Sequence, residues 1–87
     1  MPTVYSVLYT TAAARQLRRL PREISQSIGE TVEALTHTPR TLQTEKLAGH
    51  PNTYRLRVGR YRILYTIEDQ IRRVVIYRIA HRREAYR

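Results

Sequence analysis

Apolar residues recur at strand spacing in the second half of the chain and at helix spacing in the first half. From Tyr54 to Tyr65, apolar and basic side chains alternate, which is typical of two strands that bury one face. Gly59 and Arg60 lie in the middle of this segment. They suit a type II′ turn, because glycine accepts the positive φ of its first central position. The pattern predicts a β-hairpin in which Arg57 lies opposite Arg62.

The two faces of this hairpin differ in character. The apolar face predicts the core and includes Tyr54, Leu56, Val58, Tyr61, Ile63, Tyr65 and Ile67. The other face holds Arg55, Arg57 and Arg62. Like charges directly opposite each other destabilise a sheet. The pattern therefore favours an anionic ligand for the basic face, and the alternative is a set of solvated strand residues.

The first half of the chain predicts one strand followed by two helices. Alternating strand formers at residues 3–9 predict the strand. Thr10 or Thr11 can cap a helix that continues to residue 20, and Pro21 suits the first turn of a second helix that ends at residues 35–37. Each helix has an apolar stripe, formed by Ala13, Leu17 and Leu20 in the first and by Ile24, Ile28, Val32 and Leu35 in the second.

The remaining segments complete one domain over residues 1–87. Residues 38–52 predict a loop with a short turn at residues 45–47. A chain reversal at residues 68–71 leads to a last strand at residues 72–80, which is apolar on both faces and is expected inside the sheet. The order β-α-α-β-β-β predicts an α+β fold, with an antiparallel sheet and an N-terminal helical hairpin packed on one face.

Composition indicates a polyanionic partner. The net charge is +9 over 87 residues, and the segment 51–87 contains ten arginines but only three acidic residues. Arginine's planar fork matches phosphate, so nucleic acid or an acidic protein is expected. The absence of cysteine excludes disulfides, thiol nucleophiles and thiolate metal sites. No signal-peptide pattern or membrane-spanning apolar run is present, so a cytoplasmic protein without membrane contact is expected.

The remaining candidate chemistry rests on Arg, His and Tyr. The three histidines are on different predicted elements, so no metal site is expected, and Glu68 and Asp69 are adjacent in a predicted turn rather than paired across a site. His81 directly follows the last strand and can transfer protons near neutral pH. Polar surface is the alternative role for a single histidine there. Further candidates for phosphate or base contacts are Lys46, Arg82, Arg83 and Tyr86.

Three segments together resemble the RelE branch of the RelE/ParE toxin superfamily. They are Lys46-Leu47-Ala48-Gly49, the hairpin from Tyr54 to Tyr65, and His81-Arg82-Arg83-Glu84-Ala85-Tyr86. The resemblance implies a toxin of a type II toxin–antitoxin system that cuts mRNA in the ribosomal A site. The ribose 2′-hydroxyl would attack the adjacent phosphate, with no metal or cofactor. The implied partners are the ribosome with bound mRNA and a cognate antitoxin, which can form a hetero-oligomer with the toxin.

The resemblance also implies roles for individual residues. Expected catalytic residues are Arg57, Arg62, His81, Arg82 and Tyr86, and expected RNA or phosphate contacts are Lys46, Arg55, Arg60 and Arg83. RelE itself has lysines where this chain has Arg55 and Arg57, and one of them is thought to be the general base. A guanidinium stays protonated, so we hypothesise that His81 accepts the proton, that Arg82 or His81 assists the leaving 5′-oxygen, and that Tyr86 positions a base.

Two other functions are compatible with the sequence. A ParE-type inhibitor of DNA gyrase would use the same scaffold without RNA chemistry, because a fold does not dictate a function. A basic RNA- or ribosome-binding module without catalysis would also explain the charge. The opposed pair Arg57 and Arg62, together with the segment from His81 to Tyr86, favours cleavage.

Overall fold

A five-stranded sheet with two helices on one face forms the fold; the structure, a computed structural model, describes residues 4–83. The elements are β1 (Ser6–Tyr9), α1 (Thr11–Arg18), α2 (Arg22–Ala34), β2 (Thr44–Lys46), β3 (Thr53–Val58), β4 (Tyr61–Glu68), a short 3-10 helix (Asp69–Ile71) and β5 (Arg73–His81). The strands lie in the order β1-β5-β4-β3-β2. The predicted α+β class with a helical hairpin is confirmed.

The sheet differs from the prediction in two details. First, β1 pairs with β5 in parallel, so the sheet is mixed rather than antiparallel throughout. The chain leaves β1 through two helices, and no tight turn imposes an antiparallel partner. Second, β2 forms inside the segment predicted as a loop and pairs with β3. Its sequence, Thr-Glu-Lys, has no apolar alternation that would indicate a strand.

The helices pack as their sequences predict but end earlier, α1 at Arg18 rather than at residue 20 and α2 at Ala34 rather than at residues 35–37. The hydroxyl of Thr10 accepts a hydrogen bond from the backbone N–H of Ala13 at 3.1 Å, which caps α1. Pro21 is the N-cap of α2 rather than part of its first turn. The buried helix residues are Ala13, Ile28 and Val32, joined by Leu35 just after α2, and they contact the apolar face of the sheet. Both predicted stripes therefore face the core.

The central hairpin has the predicted register. Val58 lies opposite Tyr61, and Arg57 lies opposite Arg62. Gly59 has a φ of 58° and is the only central turn residue with a positive φ, as a type II′ turn requires. Because side chains alternate, this register puts the apolar residues of β3 and β4 against the helices. The tyrosine rings at 54 and 65 stack within this core at 6.0 Å between centroids.

A bulge in β5 changes which side chains share a face. Tyr65 pairs with Ile76, but Leu64 pairs with Arg78, so Tyr77 is an extra residue on β5. Beyond the bulge, Ile79 belongs to the core cluster, whereas Ala80 is buried beside Arg62 on the other face. The pairing of β1 with β5 ends at Ile76. Beyond it, the side-chain oxygen of Gln16 on α1 accepts a hydrogen bond from the backbone N–H of Ile79 at 2.7 Å.

A polar clamp fixes the segment that leads from α2 into β2. Arg40 donates two hydrogen bonds to the Asp69 carboxylate, at 3.1 and 2.7 Å, and a third from Nε to the Tyr54 hydroxyl at 3.1 Å. Tyr5 donates to the same carboxylate at 2.6 Å. The clamp thereby joins the β2 segment, the 3-10 helix and the start of β1. Among the described residues, no helix is long and apolar enough to cross a membrane.

Asp69→Asn should weaken this clamp and lower the free energy of unfolding by an amount that depends on pH. The hydrogen bonds from Arg40, followed by that from Tyr5, lower the pKa of Asp69 from 3.8 to about 2. Because the folded-state pKa lies below the unfolded value, the contribution to stability is complete above 3.8 and is lost as the pH falls through about 2. We expect the wild type to be more stable than Asp69→Asn near neutral pH, with a difference that shrinks in acid.

Urea denaturation of both proteins across this acidic range measures the difference in free energy of unfolding. Glu30→Gln is the matched control, since Glu30 is an exposed carboxylate on α2. A stability difference for Asp69→Asn that is the same at every pH would contradict the assignment.

Candidate functional site

The sheet face opposite the helices concentrates arginines from three strands. Two rows of cross-strand neighbours define it: Arg55, Leu64 and Arg78 in one row, and Arg57, Arg62 and Ala80 in the next. We call the four arginines of these rows, Arg55, Arg57, Arg62 and Arg78, the arginine face. The sequence predicted three of them. Arg78 was missed, because the bulge at Tyr77 reverses which residues of β5 share this face.

The arginines of this face differ in exposure. Arg57 is exposed, the side chain of Arg55 is 31% exposed, and Arg62 is only 3% exposed. Charged side chains are rarely buried to this degree unless they have specific interactions. Arg62 therefore has a fixed position on the sheet rather than the solvated one considered from the sequence. A fixed guanidinium next to an accessible one suits the binding of an anion that approaches from solvent.

Glu45 is a site residue that sequence reasoning missed. The register of β2 places it opposite Arg55, with which it forms an ion pair. Its pKa is lowered first by the hydrogen bond from Arg55 and then by the charge of that residue, with smaller contributions from Arg62 and Arg57. An ionised carboxylate is thus available beside the arginines. No pattern in the sequence indicated this, because β2 is short and polar.

His81 does not share the arginine face. It lies opposite Tyr61, whose ring contacts the imidazole edge-on at 5.2 Å between centroids. Tyr61 packs against the core, so the register directs His81 toward the helices. Its Nδ1 accepts the backbone N–H of Arg83 at 3.2 Å. Without the extra residue Tyr77, alternation would have put His81 among the arginines, as the sequence hypothesis assumed.

The bulge has the opposite consequence for Arg82. Its backbone N–H donates to the carbonyl of Arg60 at 2.7 Å, which continues the β4–β5 pairing beyond His81. Alternation then directs Arg82 to the side of Ala80 and Arg62. An open pocket of about 410 Å³ lies at this end of the sheet, lined by Arg60, His81, Arg82 and Arg83.

Of the remaining predicted site residues, Lys46 is not part of this arrangement and Tyr86 is not described. Lys46 pairs with Tyr54, a core residue, so alternation directs it away from the arginine face. Tyr86 lies outside the described residues. Within residues 4–83, no group of three or more histidine, aspartate or glutamate side chains could hold a metal ion. The described site therefore consists of arginines and one carboxylate.

Comparisons with known proteins point to one family. A family model described as the ParE toxin of the type II toxin–antitoxin system, parDE, matches residues 7–86. The chain is similar to Toxin RelG of Mycobacterium tuberculosis (38% identity, covering 95% of this chain and 97% of that protein). Toxin RelE of the same organism is 37% identical over 95% of this chain and 87% of that protein.

The fold is also similar to a solved structure. The toxin–antitoxin complex RelBE2 from Mycobacterium tuberculosis contains a chain that matches with a TM-score of 0.82 and 34% identity. The match covers 94% of this chain and 95% of that one. The overall fold is therefore one that is already known from a crystal structure.

Arg57→Glu should stabilise the folded protein. The change replaces a like-charge pair opposite Arg62 with an opposite-charge pair, so we expect the free energy of unfolding to rise by about 0.2–1 kcal/mol. The gain should shrink at high salt, because Arg57 is exposed and its interactions are screened. Urea denaturation at low and high ionic strength measures both effects.

Arg55→Glu is the matched control for this prediction. It makes the same change on the same strand and face, but it sets two carboxylates against each other at Glu45 and should destabilise the protein. Equal destabilisation by both variants would show that repulsion between Arg57 and Arg62 is absent.

Proposed function

Because the chain belongs to the ParE toxin family of type II toxin–antitoxin systems, within the RelE/ParE superfamily, we propose that it is a ribosome-dependent endoribonuclease of the RelE kind. The proposed reaction is cleavage of mRNA in the ribosomal A site. The observation that supports it most directly is the arginine face, where Arg57 and Arg62 are paired across two strands despite their like charges.

In the proposed reaction the RNA supplies its own nucleophile. The ribose 2′-oxygen forms a bond to the adjacent phosphorus and loses its proton to a base, while the bond to the 5′-oxygen breaks and that oxygen takes a proton from water. The products are a 2′,3′-cyclic phosphate and a free 5′-hydroxyl. Negative charge grows on the phosphate oxygens as the bond forms. Arg55, Arg57 and Arg62 would stabilise that charge with donors that are already in position.

The proton acceptor cannot be an arginine, since a guanidinium stays protonated. We assign this role to Glu45, whose carboxylate is ionised beside Arg55 and faces the same side of the sheet. His81 was the candidate from the sequence, but its side chain is directed toward Tyr61 and the helices. Arg82 is proposed to neutralise the leaving 5′-oxygen, and Tyr86 to stack on or position a base.

The proposed macromolecular partners follow from the charge of the site and from the relatives. The RelBE2 structure is a toxin–antitoxin complex, so a cognate antitoxin is proposed for this chain as well. An acidic or amphipathic segment of that antitoxin would cover the arginine face and block access to RNA. The second proposed partner is the ribosome with bound mRNA, and the proposed activity would therefore be cytoplasmic.

A gyrase inhibitor is the second candidate function. The matching family model is named for ParE, and fold similarity alone does not separate the two activities. The two functions make different demands on the arginine face. Phosphoryl transfer needs a proton acceptor beside the arginines, whereas a binding protein does not, and Glu45 supplies one.

Primer extension on translating ribosomes tests the proposed activity. We expect new mRNA ends in the A-site codon with the wild type, and a loss of about 100-fold or more in cleavage rate with Arg57→Gln, because one charge-stabilising donor is removed. Arg72→Asn is the matched control; it removes one exposed positive charge from the turn before β5. Intact mRNA together with inhibited DNA supercoiling would instead support the gyrase inhibitor.

The proton acceptor can be identified from the pH dependence of cleavage. A histidine base would lose its function within about pH 5–8. A carboxylate with a pKa lowered from 4.5 stays ionised throughout that window. Protonation of the base should therefore cause no loss of the wild-type rate between pH 8 and pH 5. We expect Glu45→Gln to cost about 100-fold or more and His81→Ala far less.

Glu45→Asp tests whether the carboxylate itself, rather than its ion pair with Arg55, is needed for cleavage. It keeps a carboxylate and should retain more activity than Glu45→Gln. Full activity of Glu45→Gln, combined with loss of activity in His81→Ala, would return the role of base to His81.

A further inference from the structure

A second group of arginines lies on the helical hairpin, away from the arginine face. Four arginines, at positions 15, 18, 19 and 22, occur within eight residues where α1 ends and α2 begins. All four are exposed, and none forms an ion pair with another residue between 4 and 83. Helical spacing puts Arg15, Arg18 and Arg19 on the side of α1 opposite Ala13 and Leu17. We call these four arginines the helix-corner cluster.

Helix stability does not explain this cluster. Arg15 and Arg18 lie in the last turn of α1, where the helix dipole favours a cation. Arg22, however, is the first residue of α2, where the same dipole disfavours a cation. Arg15 also has like charges three and four residues further on, and such pairs destabilise a helix. An external anion would remove both unfavourable interactions.

The chemistry of the cluster favours nucleic acid over protein. The large apolar side chains that the described structure exposes are Val4, Leu8, Leu42 and Ile71, and none of them belongs to α1 or α2. A protein interface normally has an apolar centre. Phosphate backbones, in contrast, are bound by arginine without apolar contacts, and the affinity comes from released counterions.

We infer that the helix-corner cluster binds the phosphate backbone of structured RNA and anchors the protein on ribosomal RNA. The RNA-backbone part of this inference stands on the cluster alone, while its assignment to the ribosome rests on the proposed function. The surface is distinct from the site of cleavage. One RNA segment would be cut at the arginine face, while another is held at the helix corner.

The two basic surfaces are connected around the end of the sheet. Arg19 and His81 line one pocket, together with Gln16 and Tyr61. His81 also lines the neighbouring pocket with Arg60 and Arg82. Since Arg82 is directed toward the arginine face, positive groups extend from the helix corner to the cleavage site. His81 thus belongs to the connection between the surfaces rather than to either one.

Binding to a short RNA duplex of about 16 base pairs tests the inference without the ribosome. The variant replaces all four cluster arginines by glutamine. We expect its affinity to be weaker by about tenfold or more, and the slope of log affinity against log salt between about 0.05 and 0.2 M to become shallower by about 3–4. Unchanged affinity and an unchanged slope would overturn the inference.

Single variants show whether a loss of RNA binding comes from the lost charge or from a loss of folding. Arg22→Gln removes a cation from a helix N-terminus, so it should leave thermal stability unchanged or higher while it weakens duplex binding. Arg72→Asn removes one exposed charge elsewhere and should leave duplex binding unchanged. Destabilisation by Arg22→Gln with wild-type RNA affinity would show a structural role and overturn the inference.

Kinetics on programmed ribosomes separate this inference from the proposed function. The fourfold variant keeps the arginine face, so KM should rise while kcat at saturating ribosomes stays at the wild-type value. If the wild type cuts no mRNA but the variant still loses duplex affinity, the nuclease proposal fails and the RNA-backbone surface stands. If the variant loses affinity for the antitoxin and keeps duplex binding, the cluster serves a protein partner and the inference is wrong.

Discussion

The cross-strand pairing of Arg57 with Arg62 depends on one register, and most of the structure depends on the same register. A shift by one residue would turn the arginines of β3 inward and the core tyrosines outward. Gly59 helps to prevent this, because its positive φ fixes a two-residue turn. Because the apolar face is buried against α1 and α2, the guanidinium groups lie together on the opposite face even though they repel each other.

Electrostatics on that face are balanced by few contacts. Glu45 neutralises Arg55 from the edge of the sheet, and the clamp around Arg40 and Asp69 holds the segment that leads to it. Arg62 is buried beside Ala80, while Arg57 remains accessible. The face thus combines a fixed positive charge with an exposed one and an ionised acid. Groups that are held by the fold in this way need little rearrangement when an anion binds.

The sequence was sufficient to predict the elements that periodic burial determines. The two helical stripes, the central hairpin and its register were all visible in the alternation of apolar and polar residues. The sequence was insufficient where strands pair without an alternation of apolar and polar residues. The three polar residues of β2 gave no strand pattern, so Glu45 was not recognised, and the parallel position of β1 depends on the packing of two helices. Arg78 was missed and His81 was misplaced for one shared reason, the extra residue at Tyr77.

That extra residue affects how members of such a family can be compared. The bulge inverts inward and outward positions over the last residues of β5, so Arg82 and His81 exchange the surfaces they would otherwise occupy. In a homologue whose strand runs straight, the same alignment column would put its side chain on the other surface. Equivalence of functional groups between two such proteins then has to be judged by superposed strand geometry, since a sequence alignment alone would pair a core-facing group with a solvent-facing one.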